Sequence, residues 1–214
     1  AEARNAETVL ADLAGMKRGS LAIFASQTIA SFWLPPLLVS YLERYPHIEL
    51  KVEIGNTAES AAAVGEGYAE LGLIEGEVDL PALEISDVAE DRLVLVVGRR
   101  HRWATTPPKK PSELAGTGWA LREPGSGTRS SFEAAIAAHG MTSHDLKIAL
   151  ELPSNEAVLN AVAASRCLAA LSQRAVARPA AAGWIRILPL PGAERPFSLL
   201  TNPQPYRTLA ARAL

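Results

Sequence analysis

The 214-residue chain carries 21 Lys and Arg against 23 Asp and Glu, a formal net charge of −2, and 48% of its residues are hydrophobic. That balance suits a globular chain of one large or two small domains, and it excludes a global electrostatic pull toward nucleic acid. No apolar run approaches the roughly 18 residues of a membrane span, and a single cysteine, Cys167, forbids an internal disulfide, which fits a cytoplasmic protein.

The first 18 residues are polar at their start, with Val9, Leu10, Leu13 and Met16 at helical spacing. They read as the tail of a longer helix that continues upstream. Leu21 to Ala25 is a short apolar strand. A helix follows with Leu34, Leu37, Leu38, Tyr41, Leu42 and Tyr45 on one face, Pro35 and Pro36 in its first turn, and Pro46 at its end. Glu49 to Ile54 alternates as a strand, and Asn56 or Thr57 caps a helix to about Glu66, with Glu59 placed for a capping box. Leu71 to Ile74 completes a βαβαβ pattern, which implies a parallel sheet with helices on its faces.

Leu93 to Gly98 is a strand of Leu and Val. The rhythm then restarts: strand Gly118 to Leu121, helix Thr128 to His139, strand Leu146 to Leu152, helix Ala157 to Ala164, strand Cys167 to Leu171, helix Gln173 to Ala181. Ile185 to Leu188 and Phe197 to Leu200 are late strands, and Tyr206 to Leu214 is a closing helix. The chain thus holds two α/β halves of similar architecture. Cys167, followed by Leu168 to Leu171, reads as a small core residue.

Parallel sheets place ligands at the carboxyl ends of their strands. Four strand-to-helix turns fall there and are rich in small polar groups: Ala25-Ser26-Gln27-Thr28, Gly55-Asn56-Thr57, Arg122 to Arg129, and Leu152-Pro153-Ser154-Asn155. Helix starts leave backbone N–H groups unpaired and carry partial positive charge, so they suit an anion, although Ser, Thr and Asn also cap helices in any protein. Arg122-Glu123-Pro124-Gly125-Ser126-Gly127-Thr128-Arg129 adds two glycines and two arginines beyond what capping needs. Arg129 near a helix N-terminus calls for a ligand or a carboxylate partner, Glu133 being one turn on.

Catalytic signatures do not stand out. There is no Gly-x-Ser-x-Gly elbow, the four histidines have no metal-ligand spacing, and Glu123 and Glu156 are the carboxylates nearest the polar turns. The expectation is therefore no catalytic residue, no metal and no cofactor. Arg99-Arg100-His101-Arg102 with Lys109-Lys110 is basic, but reads as a solvated loop after a buried strand.

Several pieces in order resemble the effector-binding domain of LysR-type transcriptional regulators. They are Arg18-Gly19-Ser20-Leu21-Ala22-Ile23, Leu34-Pro35-Pro36-Leu37-Leu38 with Tyr45-Pro46, Leu71-Gly72-Leu73-Ile74-Glu75-Gly76, Leu93 to Val97 with His101-Arg102-Trp103-Ala104, and Ser154-Asn155-Glu156-Ala157-Val158. Ala25-Ser26-Gln27-Thr28-Ile29 with Arg122 to Arg129 is similar to the branch regulating carbon fixation and sulfur metabolism. The resemblance implies an α/β, periplasmic-binding-protein-like fold, two Rossmann-like subdomains around a ligand cleft. It places the end of a linker helix at 1–18, subdomain I at 19–92 and 201–214, and subdomain II at 93–200. It implies a small anionic metabolite as effector, a homodimer of this domain within a full-length tetramer, and DNA contact only through an N-terminal winged helix-turn-helix. Effector contacts are expected at Ser26, Gln27, Thr28, Arg122, Ser126, Gly127, Thr128 and Ser154, with Thr57 of the second turn beside them. Tyr41, Leu42 and Tyr45, or Phe132, Ile136 and His139, are candidate dimer faces. The chain departs from the family at Ser165-Arg166-Cys167-Leu168, where a Gly-x-Gly-Ile stretch is common, so the pocket shape of relatives does not carry over there. The same fold also serves transporter solute-binding proteins, which is the alternative reading.

Overall fold

The computed structural model describes residues 19–76, 78, 80–108, 110–203 and 208–214. The helix expected within 1–18, Lys109, and the start of the closing helix at Tyr206 lie outside them. The chain divides into two units. One holds the described residues up to Ile74 with Val78–Val88 and Phe197–Leu214, the other Glu75–Glu77 and Ala89–Pro196.

The first unit is built on β1 (Gly19–Ser26), β2 (Ile48–Gly55) and β3 (Leu71–Glu75). β1 pairs in parallel with both neighbours, as the βαβαβ pattern requires. The register sets Ser26 opposite Gly55, so the turns after β1 and β2 start side by side. Two helices, not one, follow β1: α1 (Gln27–Phe32) and α2 (Leu34–Arg44), broken at Trp33. Leu34 and Tyr41 are the buried residues of α2, while Leu37 and Leu42 are exposed, so the apolar stripe read from the sequence is not one buried face. The Tyr41 hydroxyl donates to the Ala210 carbonyl at 3.0 Å, which ties α2 to the closing helix α7 (Leu209–Ala213); α3 is Thr57–Gly65. Asn56 caps α3 and shares a full capping box with Glu59. Ala61 and Val64 of α3 pack with Ile74, Leu83 and Leu200.

In the second unit the strand order is β4-β7-β5-β6, with β8 also on β4. These are β4 (Glu84–Gly98), β5 (Gly118–Arg122), β6 (Lys147–Leu152), β7 (Leu168–Ser172) and β8 (Ile185–Leu188). β9 (Glu194–Thr201), like β4, contributes residues to both units. β4 is 15 residues long, more than twice the expected strand, because a charged first half precedes its apolar run. Leu93 to Val97 is buried on both faces, as a central strand must be. β4 runs antiparallel to β7 and β8, whereas β5 is parallel to β6 and β7. The helices are α4 (Gly127–Ala137), α5 (Asn155–Ala164) and α6 (Gln173–Ala181). Trp119 lies at the centre of this core, its Nε1 donating to the Leu114 carbonyl at 2.9 Å and its ring 4.7 Å from that of Phe132.

Of the candidate dimer faces, Tyr41, Phe132 and Ile136 are buried within their own units, whereas Leu42 and His139 are exposed and Tyr45 is partly so. One expectation is corrected. Cys167 is half-buried just before β7, not a core residue. At the departure from the family, Ser165 is extended and its Oγ accepts from the Cys167 N–H at 3.0 Å.

Candidate functional site

In the first unit, Ser26 ends β1 as the N-cap residue of α1, Gln27 and Thr28 open that helix, and Thr57 opens α3. Ser26, Thr28 and Thr57 are buried and Gln27 is partly exposed. The β1–β2 register therefore groups these four predicted residues at one end of the parallel strands. A hollow of about 430 Å³ lies elsewhere in this unit, lined by Ala58, Ala61, Ala62, Val78, Leu80 and Leu83 among others; none of the predicted contacts lines it.

In the second unit, Ser126 caps α4, its Oγ accepting from the Arg129 N–H at 3.4 Å, and Ser154 caps α5, accepting from the Ala157 N–H at 3.0 Å. Both hydroxyls thus perform the capping that their positions suggest. Gly127 and Thr128 are the buried first residues of α4. Gly76, at φ +84°, lies directly against them: a Cβ there would come within 3.0 Å of the Gly127 Cα.

Arg122 joins the two turns of this unit. It is buried, and its Nε and Nη2 donate to the two oxygens of Glu123 at 2.7 and 2.9 Å while Nη1 donates to Asn155 Oδ1 at 2.8 Å. Arg122, one of the expected effector contacts, thus holds a bidentate carboxylate and the start of α5 with the same guanidinium. Arg129 finds the carboxylate its position calls for: Nε donates to Glu133 at 3.1 Å, and Nη1 to Glu151 and, at 3.1 Å, to the Arg122 carbonyl. Burial draws the guanidinium pKa down, but the hydrogen bonds and charges of Glu151 and Glu133 outweigh it and hold it above its usual value.

The sequence reading missed a buried network at the start of α4. The Thr128 hydroxyl donates to Glu75 Oε1 at 3.4 Å and accepts from Arg195 Nη1 at 3.3 Å. Arg195 in turn donates to Asp91, and so does the Ser172 hydroxyl, at 2.8 Å. Asp91, Ser172 and Arg195 are far apart in sequence and lie in or at the ends of strands, so no local spacing marks them. The available signal was a charge adjoining an apolar run, Asp91 ahead of Leu93 to Val97 and Arg195 beside Phe197. His101, expected in a solvated loop, is buried; Arg99, Arg100 and Arg102 around it are exposed. Among the described residues no group of three or more His, Cys, Asp and Glu is placed to hold a metal ion, and no helix is long and apolar enough to cross a membrane.

The fold is that of periplasmic-binding-protein-like α/β domains. The 214-residue chain belongs to the LysR substrate binding domain family, whose model matches residues 14–214. It is 30% identical over 209 residues to a probable RuBisCO transcriptional regulator of Cyanophora paradoxa, covering 95% of this chain and 64% of that protein. It is 35% identical over 156 residues to the HTH-type transcriptional regulator CysL of Bacillus subtilis (strain 168), covering 73% of this chain and 51% of CysL. The chain thus spans between about half and two thirds of these relatives' length. In structure it matches the CcmR regulatory domain of Synechocystis PCC6803, solved in complex with 2-PG, with a TM-score of 0.81, 22% identity, and coverage of 92% of this chain and 93% of that one. Both curated relatives are named as transcriptional regulators, which favours that reading over a transporter's solute-binding protein.

Proposed function

We propose that this chain is the effector-sensing domain of a cytoplasmic LysR-type transcriptional regulator. It binds a small anionic metabolite and so modulates DNA binding by a winged helix-turn-helix module N-terminal to it in the whole protein. The observation that carries this reading is the helix start Ser126-Gly127-Thr128, buried at the carboxyl end of a parallel strand and repeated in kind by Ser26-Gln27-Thr28. With Thr57, Arg122 and Ser154, these are the proposed effector contacts. The branch resemblance and the 2-PG held by the CcmR domain make 2-PG the first compound to test. An effector regulates only through different affinities for two states of the protein.

Calorimetry with 2-PG, glycolate, succinate, inorganic phosphate and inorganic sulfate tests the site. Ser26→Ala and Thr128→Ala weaken the binding of whichever compound binds; undiminished binding in both variants refutes the assignment.

The domain forms a homodimer in the same proposal, and the full-length protein a tetramer. Support comes from two edge strands with apolar side chains in solvent. β2 exposes Ile54 at 58%, and β6 exposes Ile148 and Leu150 at 40% and 41%. Exposed apolar edges invite pairing with another chain.

A further inference from the structure

We propose that Asp91 and Arg195 are positioning residues for effector recognition: they set the Thr128 side chain at the start of α4 without meeting the effector themselves. This rests on the reading that Thr128 belongs to the effector site. All members of the network are buried. Both Asp91 oxygens are occupied, Oδ1 by the Ser172 hydroxyl and Oδ2 by Nε and Nη2 of Arg195. That leaves Nη1 of a fixed guanidinium plane aimed at Thr128 Oγ1. Hydrogen-bonded to both Glu75 and Arg195, the Thr128 side chain is held in one rotamer and fixes the start of α4, whose backbone N–H groups are the donors offered to an anionic effector.

Stability alone does not account for such a pair, because apolar residues of similar volume commonly serve a buried position as well or better. Its placement gives it another role. Glu75, Asp91 and Arg195 each lie within three residues of a point where the chain passes between the two units. The network therefore ties three chain crossings to the helix start that carries the proposed contacts. Gly76, pressed on Gly127, reinforces the first of those ties.

A double-mutant cycle on the 214-residue chain tests this. The probe is the tightest binder among glycolate, succinate, inorganic phosphate and inorganic sulfate, with thermal unfolding confirming that each variant is folded. T128V and R195K each weaken binding about tenfold, and adding R195K to T128V weakens it less than about twofold further, since the two act through one group. Ser172→Ala, which leaves the ion pair in place, weakens binding about threefold in the wild-type background and not in T128V. It carries the test if R195K does not fold. Multiplicative losses in the double variants overturn the inference and leave the effector site standing. Wild-type affinity in T128V removes Thr128 from the site and the inference with it.

Discussion

Asp91 Oδ2 accepts both Nε and Nη2 of Arg195, at 3.0 and 2.8 Å, with the two side chains only 1% and 3% exposed. The residues are 104 positions apart, one on β4 and the other on β9. Desolvating both charges is costly, and the geometry offsets the cost only while both are present.

Asp91→Ala therefore leaves Arg195 as a buried, uncompensated cation. The expected loss is about 3–5 kcal/mol, read from urea unfolding. Replacing both residues with apolar ones, Asp91→Leu with Arg195→Met, recovers most of that loss. A single variant that unfolds like the wild type contradicts the ion pair described here.

Gly76→Ala meets two penalties. Its φ of +84° costs an L-residue about 1–2 kcal/mol, and the new methyl group is forced against Gly127, adding about 1–3 kcal/mol of overpacking. Gly140, at φ +73° with nothing within 4 Å of a Cβ, meets only the first. Thermal unfolding of the two variants is expected to place Gly76→Ala clearly below Gly140→Ala, and equal losses exclude a packing contribution at Gly76.

His101 gives the chain a pH dependence. Its Nδ1 accepts from the Trp103 N–H and its Nε2 pairs with Thr117 Oγ1, both at 3.1 Å, so the neutral ring carries its proton on Nε2. Burial, then the charges of Arg102 and Arg166, lower its pKa in the folded chain. The unfolded chain thus binds the proton more readily. The stability that His101 contributes is complete above its unfolded pKa, about 6.5, and is lost as pH falls through that value toward the folded one. Denaturation midpoints at pH 8 and pH 5.5 should differ less in His101→Gln than in the wild type.

The edge strands set the fourth prediction. Ile54→Lys, or Ile148→Lys with Leu150→Lys, lowers the mass of the domain in sedimentation at high concentration from dimer to monomer. A wild-type domain that sediments as a monomer throughout the concentration series rejects the dimer.

The positions of the polar turns were legible because local chemistry fixes them. Asn56 with Glu59, Ser126 and Ser154 each cap the helix that follows, and a cap needs only residues within one turn. The strands of Leu and Val were legible for the same reason. A helical stripe is a different matter: it says that a face is covered and not by what, so Tyr41, Phe132 and Ile136 suited a partner as well as a sheet. The first half of β4 escaped because Glu84, Asp87, Glu90, Asp91 and Arg92 break any apolar run. Three of these acids serve partners distant in sequence, Glu84 accepting from Thr201, Asp87 from Ser198 and Asp91 from Ser172 and Arg195. Glu123 went unread as the partner of Arg122 for a related reason: a glycine-rich turn flanked by arginines draws attention to an incoming anion, while the next residue already supplies a carboxylate from within the chain.

The stack of Trp119 on Phe132 gives the domain a native optical reporter. Trp119 sits three residues before the end of β5, and Phe132 five residues into the helix whose start carries Thr128. Its indole is sealed from water, whereas Trp184 is 60% exposed. Any compound that shifts the start of α4 disturbs this ring pair and changes the blue-edge emission of the chain, while the red-edge emission of Trp184 stays as an internal reference. Effectors could thus be screened by the colour of the protein's own fluorescence, with no label attached.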